Sequence, residues 1–246
     1  MTVFDAYARY YDLINKDKDY AGEARYVHSL IERYGPGRTR LLDIGCGTGR
    51  HAQLFSELGL QVVGLDRSEA MISQATLSNP ELEFHTGDVC SFELGEKFEV
   101  VSALFHVVSY LTNVDQLQAA FGSIRKHLAP GGLFIFDCWH GPAVLHQRPE
   151  IRIRRLSNDT TSIVRIAEPT MSIPDQTVDV DFQIFVEETG VWNEINEKHS
   201  MRYLFRAEIE SLLADNGMQL IHSEEWLEGN APSDDSWSVV YIASLT

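Results

Sequence analysis

The 246-residue chain carries 36 acids against 20 bases, a formal net charge of −16, and 44% of it is hydrophobic. That apolar share supplies one sizeable α/β core, while the acidic balance disfavours a nucleic-acid substrate and leaves a small molecule as the expected partner. Cys46, Cys90 and Cys138 are far apart and form no CxxC or Cys/His spacing, so no metal site and a reducing cytoplasm are expected.

The opening MTVFDAYARYYD lacks the basic and apolar regions of a signal peptide, and no apolar run approaches the ~18 residues of a membrane span. Phe4, Tyr7, Tyr10, Tyr11 and Ile14 enrich this stretch, and Tyr7, Tyr11 and Ile14 share one helical face. Such a face either anchors a helix on a sheet or forms a lid over a ligand. Tyr20–Tyr34 reads as an amphipathic helix with Ala24, Val27, Leu30 and Ile31 inward, ended by Gly35-Pro36-Gly37, with Arg25 solvated.

Leu41–Asp66 carries the strongest pattern. Leu41, Leu42 and Ile44 form a short buried strand that runs into alternating glycines, Gly45, Gly47 and Gly49. Ala52, Leu54, Phe55 and Leu58 recur at helical spacing, Gly59 stops the helix, and Val62–Leu65 is a second buried strand ending on Asp66. This is a βαβ unit with a glycine loop and an acid at the carboxyl edge, where doubly wound sheets bind ligands. A dinucleotide site wants a third small residue in G-x-G-x-x-G/A, and Arg50 stands there. A nicotinamide oxidoreductase is therefore disfavoured.

Ser68 caps the next helix, which carries Met71, Ile72 and Ala75 and breaks at Asn79-Pro80. Glu81–His85 reads as the third strand, leading to Gly87, Asp88 and Val89. Phe98–Phe105 is the fourth, followed by HVVSYL at His106–Leu111. Asn113 caps a helix with Leu117, Phe121, Ile124 and Leu128 inward, and Pro130-Gly131-Gly132 precedes a fifth strand, Leu133–Phe136. Asp137, Trp139 and His140 lie just past it.

From Gly141 the pattern changes to period-two alternation, with strands expected at Ile151–Leu156, Ser162–Ala167, Val178–Val186 and Glu194–Phe205 and a turn at Asn158-Asp159. Arg148, Arg152, Arg154 and Arg155 are the basic cluster of this acidic chain. They read first as a solvated strand edge and second as a handle for an anionic substrate. A helix at Arg206–Asn216, a strand at Met218–Glu224 and a last strand at Ser238–Ala243 complete the core.

The D-x-G-x-G-x-G run from Asp43, with Asp66 and Asp88, resembles the class I S-adenosylmethionine-dependent methyltransferases. The resemblance implies a Rossmann-like doubly wound α/β sheet of order 3-2-1-4-5-7-6 that binds S-adenosyl-L-methionine. It implies a cofactor set of Tyr11, Gly45, Cys46, Gly47, Asp66, Arg67, Met71, Gly87, Asp88, Val89, Leu104 and Phe105. Within that set, Asp66 would accept from the ribose hydroxyls and Asp88 from the adenine amino group. Over a longer span, YYDLINKDKDY, LFHVVSYL, DCW, the β insertion and RYLFRAEIESLLADNGM are similar to bacterial N-methyltransferases of nucleotide-linked amino sugars. His106 departs from the small residue usual there, and Trp237–Tyr241 also differs.

The expected organisation is residues 1–144 as lid helices and cofactor core, 145–200 as an antiparallel β insertion over the acceptor pocket, and 201–246 as the end of the core sheet. The insertion is also a candidate contact for a second copy. Tyr110, His106 and Asp137 are the candidate catalytic groups, and Tyr11, Trp139 and His140 are candidates for contact with the acceptor. O- or C-methylation of another metabolite, and cofactor binding without turnover, stand as alternatives.

Overall fold

A computed structural model describes residues 8–246. The expected Phe4 and Tyr7 contacts lie outside the described residues. After a 3₁₀ turn at Ala8–Tyr10 come α1 (Tyr11–Ile14) and α2 (Tyr20–Tyr34). Asp19 starts α2 by accepting from Gly22 N at 2.8 Å, filling one of the orphan donors of a helix start. The βαβ unit follows as β1 (Arg40–Ile44), α3 (Arg50–Glu57) and β2 (Gln61–Asp66), then α4 (Glu69–Ser78), β3 (Glu83–Thr86), β4 (Phe98–Ala103), α5 (Val114–His127) and β5 (Leu128–Trp139). Next come α6 (Gly141–Gln147), β6 (Arg152–Ser157), β7 (Thr161–Ser172), β8 (Thr177–Glu188) and β9 (Val191–Arg202). The chain closes with α7 (Arg206–Asp215), β10 (Met218–Glu225) and β11 (Ser238–Leu245).

The large sheet runs β3-β2-β1-β4-β5-β11-β10, and β6-β7-β8-β9 form a second sheet. With β10 and β11 counted as sixth and seventh core strands, this is the expected order 3-2-1-4-5-7-6. The first five strands pair in parallel, and β11 enters antiparallel between β5 and β10. Strands covered on both faces need apolar side chains in both directions. Thus Phe134 and Phe136 pack with Phe121 and Tyr241 on one face, while Leu133 and Ile135 pack with Val27, Leu30 and Phe55 on the other. Each such side chain contributes about 1.5–3 kcal/mol on burial.

Several boundaries differ from the sequence reading. β4 stops at Ala103, because Phe105 and His106 turn left-handed at φ 63° and 64°. β5 begins at Leu128, five residues early: Leu128 pairs with Phe98 and Leu133 with Val100, so Pro130-Gly131-Gly132 bulges out of a continuing strand. Leu58, read as inward, is the C-cap of α3 and is 37% exposed. The helix α6 was not foreseen. Gly-Pro reads as a breaker, but a proline in the first helical turn lacks only a donor that would be orphaned anyway.

Asp43 is a buried charge inside this core. It is 2% exposed and accepts from Ser102 Oγ at 2.8 Å. Burial pushes its carboxyl up to about 6, against the opposing pull of His51 and the Ser102 hydroxyl. The folded pKa lies above the unfolded one, so stability falls as pH rises from about 4 towards 6 and stays lowered above that. Asp43→Asn keeps the acceptor and removes the charge. Its unfolding free energy should therefore exceed wild type by on the order of 2 kcal/mol at pH 7.5 and match it near pH 4. Denaturant titrations at both pH values check this; equal stability at pH 7.5 would show that the charge costs nothing.

Candidate functional site

The carboxyl edge of the parallel strands carries the glycine loop. Gly45, Gly47 and Gly49 all take positive φ, at 68°, 54° and 78°, a conformation that costs a residue with a Cβ about 1–2 kcal/mol. The amides of Gly45 and Cys46 donate to Leu65 O at 2.7 and 3.1 Å, folding the loop back over β2. A Cβ at Gly45 would overlap Val107, whereas at Gly47 it would meet open space. The loop therefore packs tightly on one side and leaves bare backbone on the other.

Asp66 closes the floor. Its Oδ2 accepts from Gly47 N at 3.0 Å and its Oδ1 from Ser68 N at 2.9 Å. Each oxygen keeps acceptor capacity for a second donor. Burial pushes this carboxyl above its usual range, against the backbone amides and Arg67. Asp88 has one such donor, Cys90 N at 2.8 Å, and is otherwise exposed. Thr48 Oγ1 donates to Asp12 Oδ1 at 2.9 Å, which ties the N-terminal segment to the glycine loop.

The turn after β4 is the next wall. Phe105 and His106 are consecutive non-glycine residues at positive φ, and such strain persists only where surroundings hold it. Here Asp137 holds it. Its Oδ1 accepts from His106 N at 3.1 Å, and its Oδ2 lies 2.7 Å from the His106 ring Nδ1 and accepts from Ser238 Oγ at 3.2 Å. Burial alone would raise the Asp137 carboxyl, but the His106 contacts outweigh it and hold it below the usual range. Ser109 Oγ accepts from Trp139 N at 3.0 Å, anchoring the 3₁₀ turn Val107–Tyr110 to β5.

The second sheet is the roof. Alternation along antiparallel strands puts Arg152, Arg165, Ala167, Phe182, Glu197 and His199 on one face, in the register Arg152–Ala167–Phe182–Glu197. His199 Nδ1 lies 2.8 Å from Tyr110 Oη, and its Nε2 lies 3.1 Å from Glu197 Oε2. The Phe182 ring meets the His199 ring edge-on at 4.8 Å and lies 5.1 Å from the Arg165 guanidinium. Ile14 of α1 packs among Leu156, Ile163, Ile184 and Val186 of the roof, and Lys16 Nζ donates to Ser157 O at 2.8 Å. The N-terminal segment thus bridges roof and glycine loop.

Floor, turn and roof enclose a cavity of about 670 Å³, within the usual size of a small-molecule site. Every residue of the expected cofactor set borders it: Tyr11, Gly45, Cys46, Gly47, Asp66, Arg67, Met71, Gly87, Asp88, Val89, Leu104 and Phe105. His106, Tyr110 and Trp139 border it too. Asp137 and His140 do not. Asp137 is 2% exposed and reaches the cavity only through His106, and His140 is 7% exposed and precedes α6 as its N-cap. Of the arginine cluster only Arg152 borders the cavity; Arg154 pairs with Asp17 at 3.5 Å, and Arg148 and Arg155 are exposed. The sequence reading missed Arg165, Phe182, His199 and Met201, which complete the roof. The alternation of β7 to β9 was visible, but not which face turns inward. Among the described residues no cluster of metal ligands forms and no helix is long and apolar enough to cross a membrane.

Residues 41–132 match the family model of a methyltransferase domain. The chain is 30% identical to a dTDP-3-amino-3,4,6-trideoxy-alpha-D-glucopyranose N,N-dimethyltransferase of Streptomyces venezuelae, over 91% of this chain and 92% of that one. It is 34% identical to a dTDP-4-amino-2,3,4,6-tetradeoxy-D-glucose N,N-dimethyltransferase of Saccharopolyspora spinosa, over 74% of this chain and 80% of that one. Among solved structures, it superposes with a TM-score of 0.79 and 26% identity on a SAM-bound amino pentose methyltransferase from Micromonospora echinaspora, covering 100% and 99% of the two chains.

Proposed function

This chain belongs to the S-adenosylmethionine-dependent methyltransferases, and from that premise we propose that it methylates the amine of a nucleotide-linked sugar. The observation that carries the reading is the position of Arg152 and Arg165. On a chain of net charge −16, Arg50, Arg67, Arg152 and Arg165 border the cavity, the last two from the roof. Guanidinium groups suit phosphate oxygens, with their fixed fork of donors and permanent charge. The dTDP-amino-sugar enzymes that resemble this chain over most of its length support the same substrate class.

In this reading the floor holds the cofactor. Asp66 offers its two remaining acceptor positions to the ribose hydroxyls, and Asp88 takes the adenine amino group. Met71, Val89 and Leu104 supply the apolar walls of the adenine slot, and the bare backbone at Gly47 allows close approach of the amino-acid end. Bound S-adenosylmethionine supplies a methyl group already activated on a sulfonium. What remains for the protein is to orient a neutral amine and exclude water, since positioning carries much of the acceleration in such a transfer. Tyr110 and His106 reach the acceptor directly. Asp137 acts through His106 as a positioning residue. Tyr11, on the segment tied to Thr48 and to the roof, closes the cavity over both molecules.

Two outcomes follow. Asp66→Ala should cost about 1.5–3 kcal/mol of S-adenosylmethionine binding, the loss of a charge-assisted bond pair. Calorimetry reads this, and wild-type affinity in the variant would refute the ribose assignment. Mass spectrometry of reactions with a dTDP-linked amino sugar and its hydroxyl analogue should find methyl groups on nitrogen only. Arg152→Gln/Arg165→Gln should then raise KM for the linked sugar by about tenfold or more while leaving KM for the free amino sugar unchanged. Transfer to the hydroxyl analogue alone would overturn the amine reading, and an unchanged KM in the double variant would remove the arginines from substrate binding.

A further inference from the structure

We infer that Glu197, His199 and Tyr110 form a proton relay that takes the acceptor's proton onto the His199 imidazole. The three side chains join in sequence: Tyr110 Oη to His199 Nδ1 at 2.8 Å, and His199 Nε2 to Glu197 Oε2 at 3.1 Å. Glu197 and His199 stand two apart on β9 and so share its inward face. Their side chains are 8% and 7% exposed, so little solvent competes with the pairing.

The chemistry of the groups sets the direction of every hydrogen. A carboxylate only accepts, so Nε2 carries the ring proton and donates to Glu197. Nδ1 is then the bare acceptor, and Tyr110 donates its hydroxyl to it. A phenolic oxygen that donates can also accept, here from a donor in the cavity that Tyr110 borders. An acceptor that arrives as an ammonium ion is such a donor. One N–H bond of the ammonium breaks as a new O–H bond forms on Tyr110, and the original Tyr110 proton moves to Nδ1. The nitrogen regains its lone pair, Tyr110 stays neutral, and the imidazolium faces the Glu197 carboxylate as counter-ion. No phenolate forms and no charge is left unpaired, which matters where few waters can screen it.

β8 presents Val180 opposite His199 and Phe182 opposite Glu197, and the Phe182 ring braces the imidazole at 4.8 Å. Among the described residues, the titratable or charged groups recorded against the ring are Tyr110 from the 3₁₀ turn and Glu197 from its own strand, with Arg165 of β7 across Phe182. Of the other imidazoles that border the cavity, His106 lies 2.7 Å from Asp137 and His51 lies 2.8 Å from Glu23.

The relay rests on the amine reading for which proton it moves, and its test separates the two. Histidine side-chain nitrogen spectra of the full chain without ligand should find His199 as the Nε2–H tautomer, with its Nδ1 resonance shifting in Tyr110→Phe. The Nδ1–H tautomer, or no response to Tyr110→Phe, would overturn the relay whatever the acceptor proves to be. In turnover, His199→Gln keeps a partner for Tyr110 but cannot take a proton. At pH 7 its kcat should fall about 10²-fold, with KM and cofactor affinity nearly unchanged. The deficit should shrink as pH passes the amine's own pKa, about 8–10, because the acceptor then arrives neutral. A deficit of one size at every pH marks a merely structural histidine and also overturns the relay. Failure of the wild type on every amine would defeat the acceptor reading while the nitrogen spectra still decide the relay.

Discussion

One buried carboxylate holds the turn after β4 in shape. Asp137 sits at the carboxyl edge of β5, 2% exposed, and touches the His106 amide, the His106 ring and Ser238 of β11. Removing a carboxylate from water is costly unless donors surround it. Here Ser238 is one donor, and the His106 amide belongs to a turn that would otherwise relax. Phe105 and His106 would not both remain left-handed in isolation. The carboxylate and the strained turn are therefore one device. The device aims Val107–Tyr110 across the glycine loop, where Val107 fills the space that a side chain at Gly45 would need.

That turn separates two surfaces with different histories in the chain. The floor is local: Gly45, Asp66 and Asp88 come from successive βα units, and backbone amides fix both acids in place. The roof is remote, built from strands that fold back after α6, and it meets the turn through Tyr110 and His199, 89 positions apart. The N-terminal segment makes the third link, with Asp12 on the glycine loop and Ile14 in the roof's apolar cluster. In the proposed reaction the acceptor is enclosed by all three at once, because water in the cavity competes for every polar group that positions it. Displacing any of the three should open the cavity without unfolding the core.

The floor was legible in the sequence because its signals are short-range. Three alternating glycines, an acid at each strand end and Ser68 as a helix cap each depend on neighbours within a few residues, and the strand order followed from the resemblance they carry. The roof was legible only as alternation. Period two shows that β7 to β9 have two faces, but their register decides which face closes the cavity, so Arg165 and His199 went unrecognised. Arg152 could not be told from Arg154 and Arg155 by composition; its place on β6 sorts them. The end of β4 was misread because Leu104-Phe105 continues an apolar run. A buried acid 31 positions from His106 turns that run out of the strand. The helix α6 was hidden by a Gly-Pro pair that usually breaks helices and here begins one.

The proposed reaction requires the acceptor nitrogen to meet Tyr110, where the turn joins the roof. A crystal structure of the full chain with S-adenosylhomocysteine and a dTDP-linked amino sugar tests that claim most directly. The account predicts the sugar nitrogen about 2.7–3.2 Å from Tyr110 Oη, with the diphosphate on Arg152 and Arg165 and the ribose hydroxyls on Asp66. A sugar nitrogen turned away from Tyr110, or a nucleotide seated off the roof arginines, would contradict it.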